Sequence, residues 1–223
     1  MPKKSEPIKM KKLITLTALL LTCVFAFSQT EHKTFYDNGN VKEQGLFDKD
    51  GNKTGEWKEY YENGQLFCIG RYENDEAVNE WKYYYENGIL ARIRQYENSK
   101  ATGEWKEYHK NGCLESIGKY ENGKKTREWH YYYDNGTENT NGQLERIGYY
   151  KNGNRIGEWK YYHENGQLYT IAEYKDDNLI DGEYKIYHNN GKLEGIGKFK
   201  NGNQSGEWKH YDEQGNLIRI EKY

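Results

Sequence analysis

Seven aromatic residues, Trp57, Trp81, Trp105, Trp129, Trp159, Tyr184 and Trp208, stand at intervals of 24, 24, 24, 30, 25 and 24 residues. A period that short and that constant excludes a globule with one central core. It requires a stack of small units, each burying its apolar face against its neighbours. The interval of 30 is one period plus a six-residue insertion at residues 137–142. A residue at the same phase in every unit serves the fold, so function is expected in surfaces and in departures from the repeat.

Within a unit the pattern is that of a β-hairpin. In Glu158-Trp159-Lys160-Tyr161-Tyr162-His163 aromatic residues dominate, as in a strand. Asn165-Gly166 follows, a tight-turn signal expected to form a type I′ turn with φ > 0 at both central residues. The stretch from Leu168 to Tyr174 reads as the returning strand, and a looser Asn-Gly connection such as Asn152-Gly153 leads to the next unit. Counting turns at Asn38-Gly39, Asn63-Gly64, Asn87-Gly88, Asn111-Gly112, Asn135-Gly136, Asn165-Gly166, Asn190-Gly191 and Gln214-Gly215 gives eight hairpins. The expected fold is therefore all-β: an elongated single antiparallel sheet of about eight stacked hairpins, roughly 75 Å long at the usual strand spacing. No window beyond the N-terminal segment carries a helical apolar period, and both prolines, Pro2 and Pro7, precede the repeats. A ladder that needs every backbone donor is consistent with their absence.

Composition supports a thin, aromatic structure. Mean hydropathy is −1.22, a value typical of disorder, yet 23 Tyr and 6 Trp supply large rings with polar tips. Period-2 alternation puts the Trp row on one face. A second row, Tyr60, Tyr84, Tyr108, Tyr132, Tyr162, Tyr187 and Tyr211, falls on the other. Either the sheet is one layer with aromatics on both sides, or a bulge near the turn brings the second row inward. Both rows, Trp57 through Trp208 and Tyr60 through Tyr211, are candidate binding residues. The first and last units, lacking Trp at Phe35-Tyr36 and ending in Glu221, Lys222 and Tyr223, read as caps.

The N-terminus reads as an export signal over residues 1–28, with Met10 as the effective start, an apolar run at 13–27 and a cut before Gln29. Residues 29–223 then form the repeat array. Leu20-Leu21-Thr22-Cys23 also resembles a lipobox, with Thr22 where a smaller residue belongs. The segment carries five Lys and one Glu, so its removal leaves a net charge of −6. That balance, without a basic block, excludes nucleic acid as a partner. Cys68 and Cys113 lie two units apart, roughly 19 Å in such a sheet, too far for a disulfide.

No catalytic or metal motif stands out. His109, His163 and His188 occupy a position held by Tyr61, Tyr85 and Tyr133 elsewhere, and are expected to substitute for Tyr rather than bind metal. The Glu row from Glu56 to Glu207 alternates with Lys two residues on, a pattern of sheet pairing rather than acid catalysis. The insertion at 137–142 is expected to project a longer loop from the middle of the array, where loops carry recognition.

The Gly-Glu-Trp-Lys, Tyr-Tyr, Asn-Gly, Leu, Ile-Gly, Tyr, Asn-Gly order resembles the bacterial MORN-repeat variant, the repeat of YwqK-type antitoxin-like proteins, over residues 32–223. The resemblance implies an elongated sheet of hairpins, a scaffolding or lipid-binding role, and for the antitoxin class a toxin neutralised by direct binding in the cytosol. The export signal places this chain elsewhere. Gly is replaced before Glu-Trp by Asn79 and Arg127, and Trp by Tyr184. The resulting expectation is an exported, non-enzymatic scaffold that needs no cofactor and binds a protein partner, with a glycan, a membrane surface or a toxin as alternatives.

Overall fold

The turns organise the sheet, and they divide into two kinds. At the Asn-Gly sites, the Tyr36 amide donates to the Asn40 carbonyl at 2.8 Å and the Gly39 amide donates to the Tyr36 carbonyl at 2.9 Å. Only the Gly has positive φ, +86° at Gly39, and this holds at every such site except Asn135-Gly136. This is a type I turn followed by a left-handed Gly, a three-residue hairpin loop, and not the type I′ turn the sequence predicts. Asn is selected there for its side chain. Asn38 Oδ1 accepts from the Asn40 amide, and its Nδ2 donates to the Glu62 carbonyl of the next unit's turn at 2.8 Å. The type I′ turns lie at the opposite edge of the sheet, in the connections read as looser. There both central residues have positive φ, as in Asn74 and Asp75, Asn122 and Gly123, or Asn152 and Gly153.

The computed structural model describes residues 29–137 and 140–223. The segment read as an export signal, with Cys23, lies outside the described residues. The strands are β1 (Thr30–Phe35), β2 (Val41–Phe47), β3 (Lys53–Tyr60), β4 (Leu66–Glu73), β5 (Glu76–Tyr84) and β6 (Leu90–Glu97). They continue as β7 (Lys100–Tyr108), β8 (Leu114–Glu121), β9 (Lys124–Tyr132), β10 (Leu144–Lys151), β11 (Asn154–Tyr162) and β12 (Leu168–Lys175). The last are β13 (Asn178–Leu179), β14 (Gly182–Tyr187), β15 (Leu193–Lys200), β16 (Asn203–Tyr211) and β17 (Leu217–Lys222). No helix occurs among the described residues. Up to β12 each strand pairs antiparallel with the next in sequence. After it, β12 pairs with both the two-residue β13 and β14, and the meander resumes to β17. The sixteen longer strands make eight hairpins, as the sequence indicates.

A bulge between hairpins builds the core. Gln44 pairs with Lys58 and Leu46 with Thr54, so Gly45 alone faces Gly55, Glu56 and Trp57. The bulge swings the Trp57 indole over Gly45, where an added Cβ would overlap the ring. The same seat recurs as Trp81 on Gly70, Trp129 on Gly118, Trp159 on Gly148 and Trp208 on Gly197. The residue before Glu-Trp is left-handed in these bulges, including Asn79 at φ +59° and Arg127 at +61°. Asn tolerates that conformation; Arg bears a steric cost there. In register, His32 of β1 occupies the indole position and Glu221 of β17, facing Trp208, the glycine position.

The indoles are covered. Trp57, Trp81, Trp105, Trp129, Trp159 and Trp208 are 0–8% exposed. With the second-strand tyrosines they form a zigzag from Trp57 through Tyr72, Trp81, Tyr96, Trp105, Tyr120, Trp129, Tyr150 and Trp159 to Tyr174. Successive centroids are 3.9–6.4 Å apart. Each such pair contributes about 0.5–1.5 kcal/mol beyond its buried area. Cation stems cover the row: Lys53 Nζ lies 4.0 Å from the Trp57 ring and Lys125 Nζ 4.0 Å from Trp129, while at Trp105 the seat itself holds Arg94, whose Cζ is 4.4 Å from the ring. This single sheet thus carries its core on one face. Cys68 and Cys113 are buried and free, and burial pushes the Cys68 thiol up to about 12.

Candidate binding cleft at the β12–β14 junction

The Tyr row stays on the far face of the sheet, so the structure does not bring the two candidate rows together. Tyr60, Tyr84, Tyr108, Tyr132, Tyr162, Tyr187 and Tyr211 are half-buried, each paired with a Leu at the start of the returning strand, as Tyr60 with Leu66. Their backbone carbonyls serve the preceding unit. Tyr61 Oη donates to the Tyr84 carbonyl at 2.8 Å and Tyr85 Oη to that of Tyr108 at 2.6 Å. At the same position His109, His163 and His188 reach the carbonyls of Tyr132, Tyr187 and Tyr211 through Nε2 at 2.7–2.9 Å. A carbonyl only accepts, so each Nε2 carries the proton, and these imidazoles replace tyrosine as donors. The Glu row pairs with Lys two residues on, at 2.7 Å for Glu56 and Lys58. Among the described residues no group of three or more His, Cys, Asp or Glu converges as a metal site.

One junction departs from all of this. Between Trp159 and Tyr184 the spacing is 25 residues, and the extra residue is Asp181. It lies in the bulge, so four residues, Asp181 to Tyr184, stand where three stand elsewhere. Gly182 has no left-handed φ, unlike Gly157 at +64°. The glycine seat is filled by Ala172 and the indole is reduced to Tyr184, 8% exposed. The two changes occur together here, whereas in the β6–β7 bulge Arg94 fills the same seat and Trp105 is kept.

The ladder opens as a result. β12 pairs with β13 and β14 at three positions, of which Thr170 with Ile186 is the one on the β14 side, whereas β10 and β11 pair at five, including Ile147 with Lys160. Thr170 Oγ1 donates to the Lys185 carbonyl at 2.8 Å, and Tyr184 Oη donates to the Ile180 carbonyl at 3.1 Å. The aromatic zigzag stops at Tyr174 and resumes as Tyr184, Phe199 and Trp208, with centroids 4.9 and 5.4 Å apart. A cleft opens on each face. On the core face it is about 330 Å³, walled by Tyr161, Tyr174, Leu179, Tyr184, Ile186 and Phe199. On the far face it is about 270 Å³, with Ile171 and Ile180 beside Glu158, Glu173, Asp181 and Glu183. Of the fourteen candidate residues, Tyr184 and Tyr187 line these clefts; the rest belong to the regular packing. Ile171, Glu173, Ile180 and Asp181 were not singled out in the sequence, although the 25-residue interval marks the place.

The insertion at 137–142 does less. Thr137 and Thr140 bond to each other through both backbone pairs and both hydroxyls. The Tyr133 amide still finds its closing carbonyl, at Gln143, and Asn135 Nδ2 still donates to the next turn at Glu164, 3.3 Å away.

The geometry defines a class, an open meander of β-hairpin repeats whose indoles seat on glycine across a bulge. Seven stretches, residues 29–49, 53–74, 78–98, 101–122, 155–176, 180–201 and 204–223, match the MORN repeat variant family, and the chain belongs to it. The matches pass over the unit that holds Trp129 and the insertion. No curated protein matches the chain. Among solved structures, the chain is similar to one in "Crystal Structure of TcdB2-TccC3-Cdc42", at 14% identity and a TM-score of 0.21, covering 85% of this chain and 13% of that one. A likeness that slight carries no argument.

Proposed function

We propose that the chain is an exported, non-enzymatic repeat scaffold that binds a protein partner. The observation that carries this is the contrast between a regular array whose aromatic groups are consumed by its own packing and one junction where the repeat opens on both faces. Recognition by a scaffold needs such a local exception, and an interface anchor needs a desolvated recess. Export is supported by residues 1–28, with their lysines, apolar run and small residues before Gln29.

The alternatives have less support. Stacking on a glycan or contact with a lipid surface through the Trp row needs open ring faces, and those rings are 0–8% exposed. Antitoxin action rests on family resemblance and needs a cytosolic chain. The test has two parts. Intact mass and N-terminal sequencing of the native protein should give a start at Gln29; an unprocessed chain in the cytosol would remove export and favour the antitoxin. Crosslinking in the producing cells should yield one stoichiometric protein complex, and its absence would remove the scaffold reading.

A further inference from the structure

On the far face, the residue that follows the glycine seat is Leu46, Arg71, Gln95, Lys119, Tyr149, Lys198 or Lys222 in the other units. In β12 it is Glu173. Register sets this position directly across from the Glu of the adjoining strand: Glu56 faces Arg71, Glu104 faces Lys119, Glu183 faces Lys198 and Glu207 faces Lys222. At the junction Glu158 faces Glu173. Like charges in direct cross-strand register destabilise a sheet, so this unit carries a charge defect where the others carry a neutralising or uncharged residue. Glu158 and Glu183 have Lys160 and Lys185 as neighbours at 3.3 and 3.4 Å. Among the described residues Glu173 has no ion pair. Beside it the open ladder exposes Ile171, 38% accessible, with Ile180 across the cleft.

We infer that the far-face cleft between β12 and β14 docks an extended segment of a partner protein that carries a lysine or arginine next to an apolar side chain. The inference rests on the scaffold reading above and names the chemistry of its partner. The apolar side chain lies on Ile171 and Ile180, and the cation enters among Glu158, Glu173 and Glu183, supplying the charge that Arg71 or Lys119 supplies within the array. An extended segment fits because a recess of about 270 Å³ takes side chains projecting from one face of a strand, and not a folded surface.

The test uses the full chain with labelled isoleucine methyl groups and two blocked ten-residue peptides, one alternating Lys and Val, the other Glu and Val. The Lys/Val peptide should shift the Ile171 and Ile180 methyls saturably, and added salt should weaken it because the charges are at the surface. Glu173→Lys should weaken binding about tenfold or more, while Glu80→Lys in a regular unit should leave it unchanged. Glu173→Lys installs the residue found at Lys119 and relieves the like-charge pair, so it should raise the thermal midpoint, which separates lost binding from lost folding. Equal shifts with the Glu/Val peptide, no shift by about 1 mM, or indifference to Glu173→Lys overturns the inference. Shifts spread over Ile69, Ile93 and Ile117 also overturn it, yet leave the scaffold reading standing; only the missing crosslinked complex removes that.

Discussion

The chain carries two insertions, and the smaller one does more. Six residues added at the turn after Tyr133 leave the ladder, the aromatic zigzag and the turn-to-turn hydrogen bonds in place. One residue, Asp181, added inside a bulge leaves β12 paired with β13 and β14 at three positions and opens the core face together with the far face. Lengthening a surface loop costs only a small closure entropy. A residue added within a strand shifts register, and register decides which side chains face the core. Position relative to the ladder, not length, determines the consequence.

The largest expected effect tests how differently the two regions use glycine. Gly118→Ala places a methyl inside the Trp129 ring and should destabilise the chain by about 3 kcal/mol. Gly182→Ala points into open space without a left-handed φ and should change stability by less than about 0.5 kcal/mol. Chemical denaturation of both variants measures this, and equal losses would mean that the junction is packed like the rest. Next comes repair. Deleting Asp181 together with Ala172→Gly and Tyr184→Trp should restore the seat, slow amide exchange at Ile171 and add about 1–2 kcal/mol. A drop in stability would show that the departures do not act as one set.

Alkali should separate the regions by a smaller margin. Burial raises the phenol pKa values of Tyr83 and Tyr131 in the regular body, and that of the Cys68 thiol to about 12. Groups raised in the folded state stabilise it fully below their unfolded pKa values, about 8.5 for Cys and 10 for Tyr. The stabilisation is lost as pH rises through the folded values. Stability should therefore decline above about pH 9 and fall faster above 10, with Cys68 resisting alkylation at neutral pH until the chain unfolds. Ready alkylation of folded protein would contradict the packed body. The smallest effect concerns His163. His163→Tyr keeps a donor for the Tyr187 carbonyl and should cost less than about 0.5 kcal/mol, while His163→Phe loses the bond and about 1 kcal/mol. If the two variants cost the same, the hydrogen bond is not what holds that position.

Much of this architecture is written in the sequence because identical units sample the same environment repeatedly. Trp every 24 residues, Lys between Trp159 and Tyr161, and an unbroken Tyr60 to Tyr211 row fix strands, faces and hairpin count. The turn types were exchanged, because Asn-Gly suits both a type I′ turn and a type I turn closed by left-handed Gly. The choice at Asn38 rests on its Nδ2 bond to Glu62, in another unit. The Trp row suggested a contact surface because alternation gives a face without saying what covers it; the lysine stems and neighbouring tyrosines do. The cleft stayed hidden because Asp181, Ala172 and Tyr184 are each mild changes, joined only by the register of the bulge.

The indole-on-glycine seat also gives the array a grammar of growth. A copied unit placed at a glycine seat, as at Gly45, Gly70, Gly118 or Gly148, finds glycine beneath its indole and offers glycine to the next, so duplication there is structurally silent. At the far margin a new indole would land on Glu221, and at the near one the position that should plug a seat holds His32. A unit inserted between two glycine seats therefore meets the packing it needs, and one placed beside His32 or Glu221 does not.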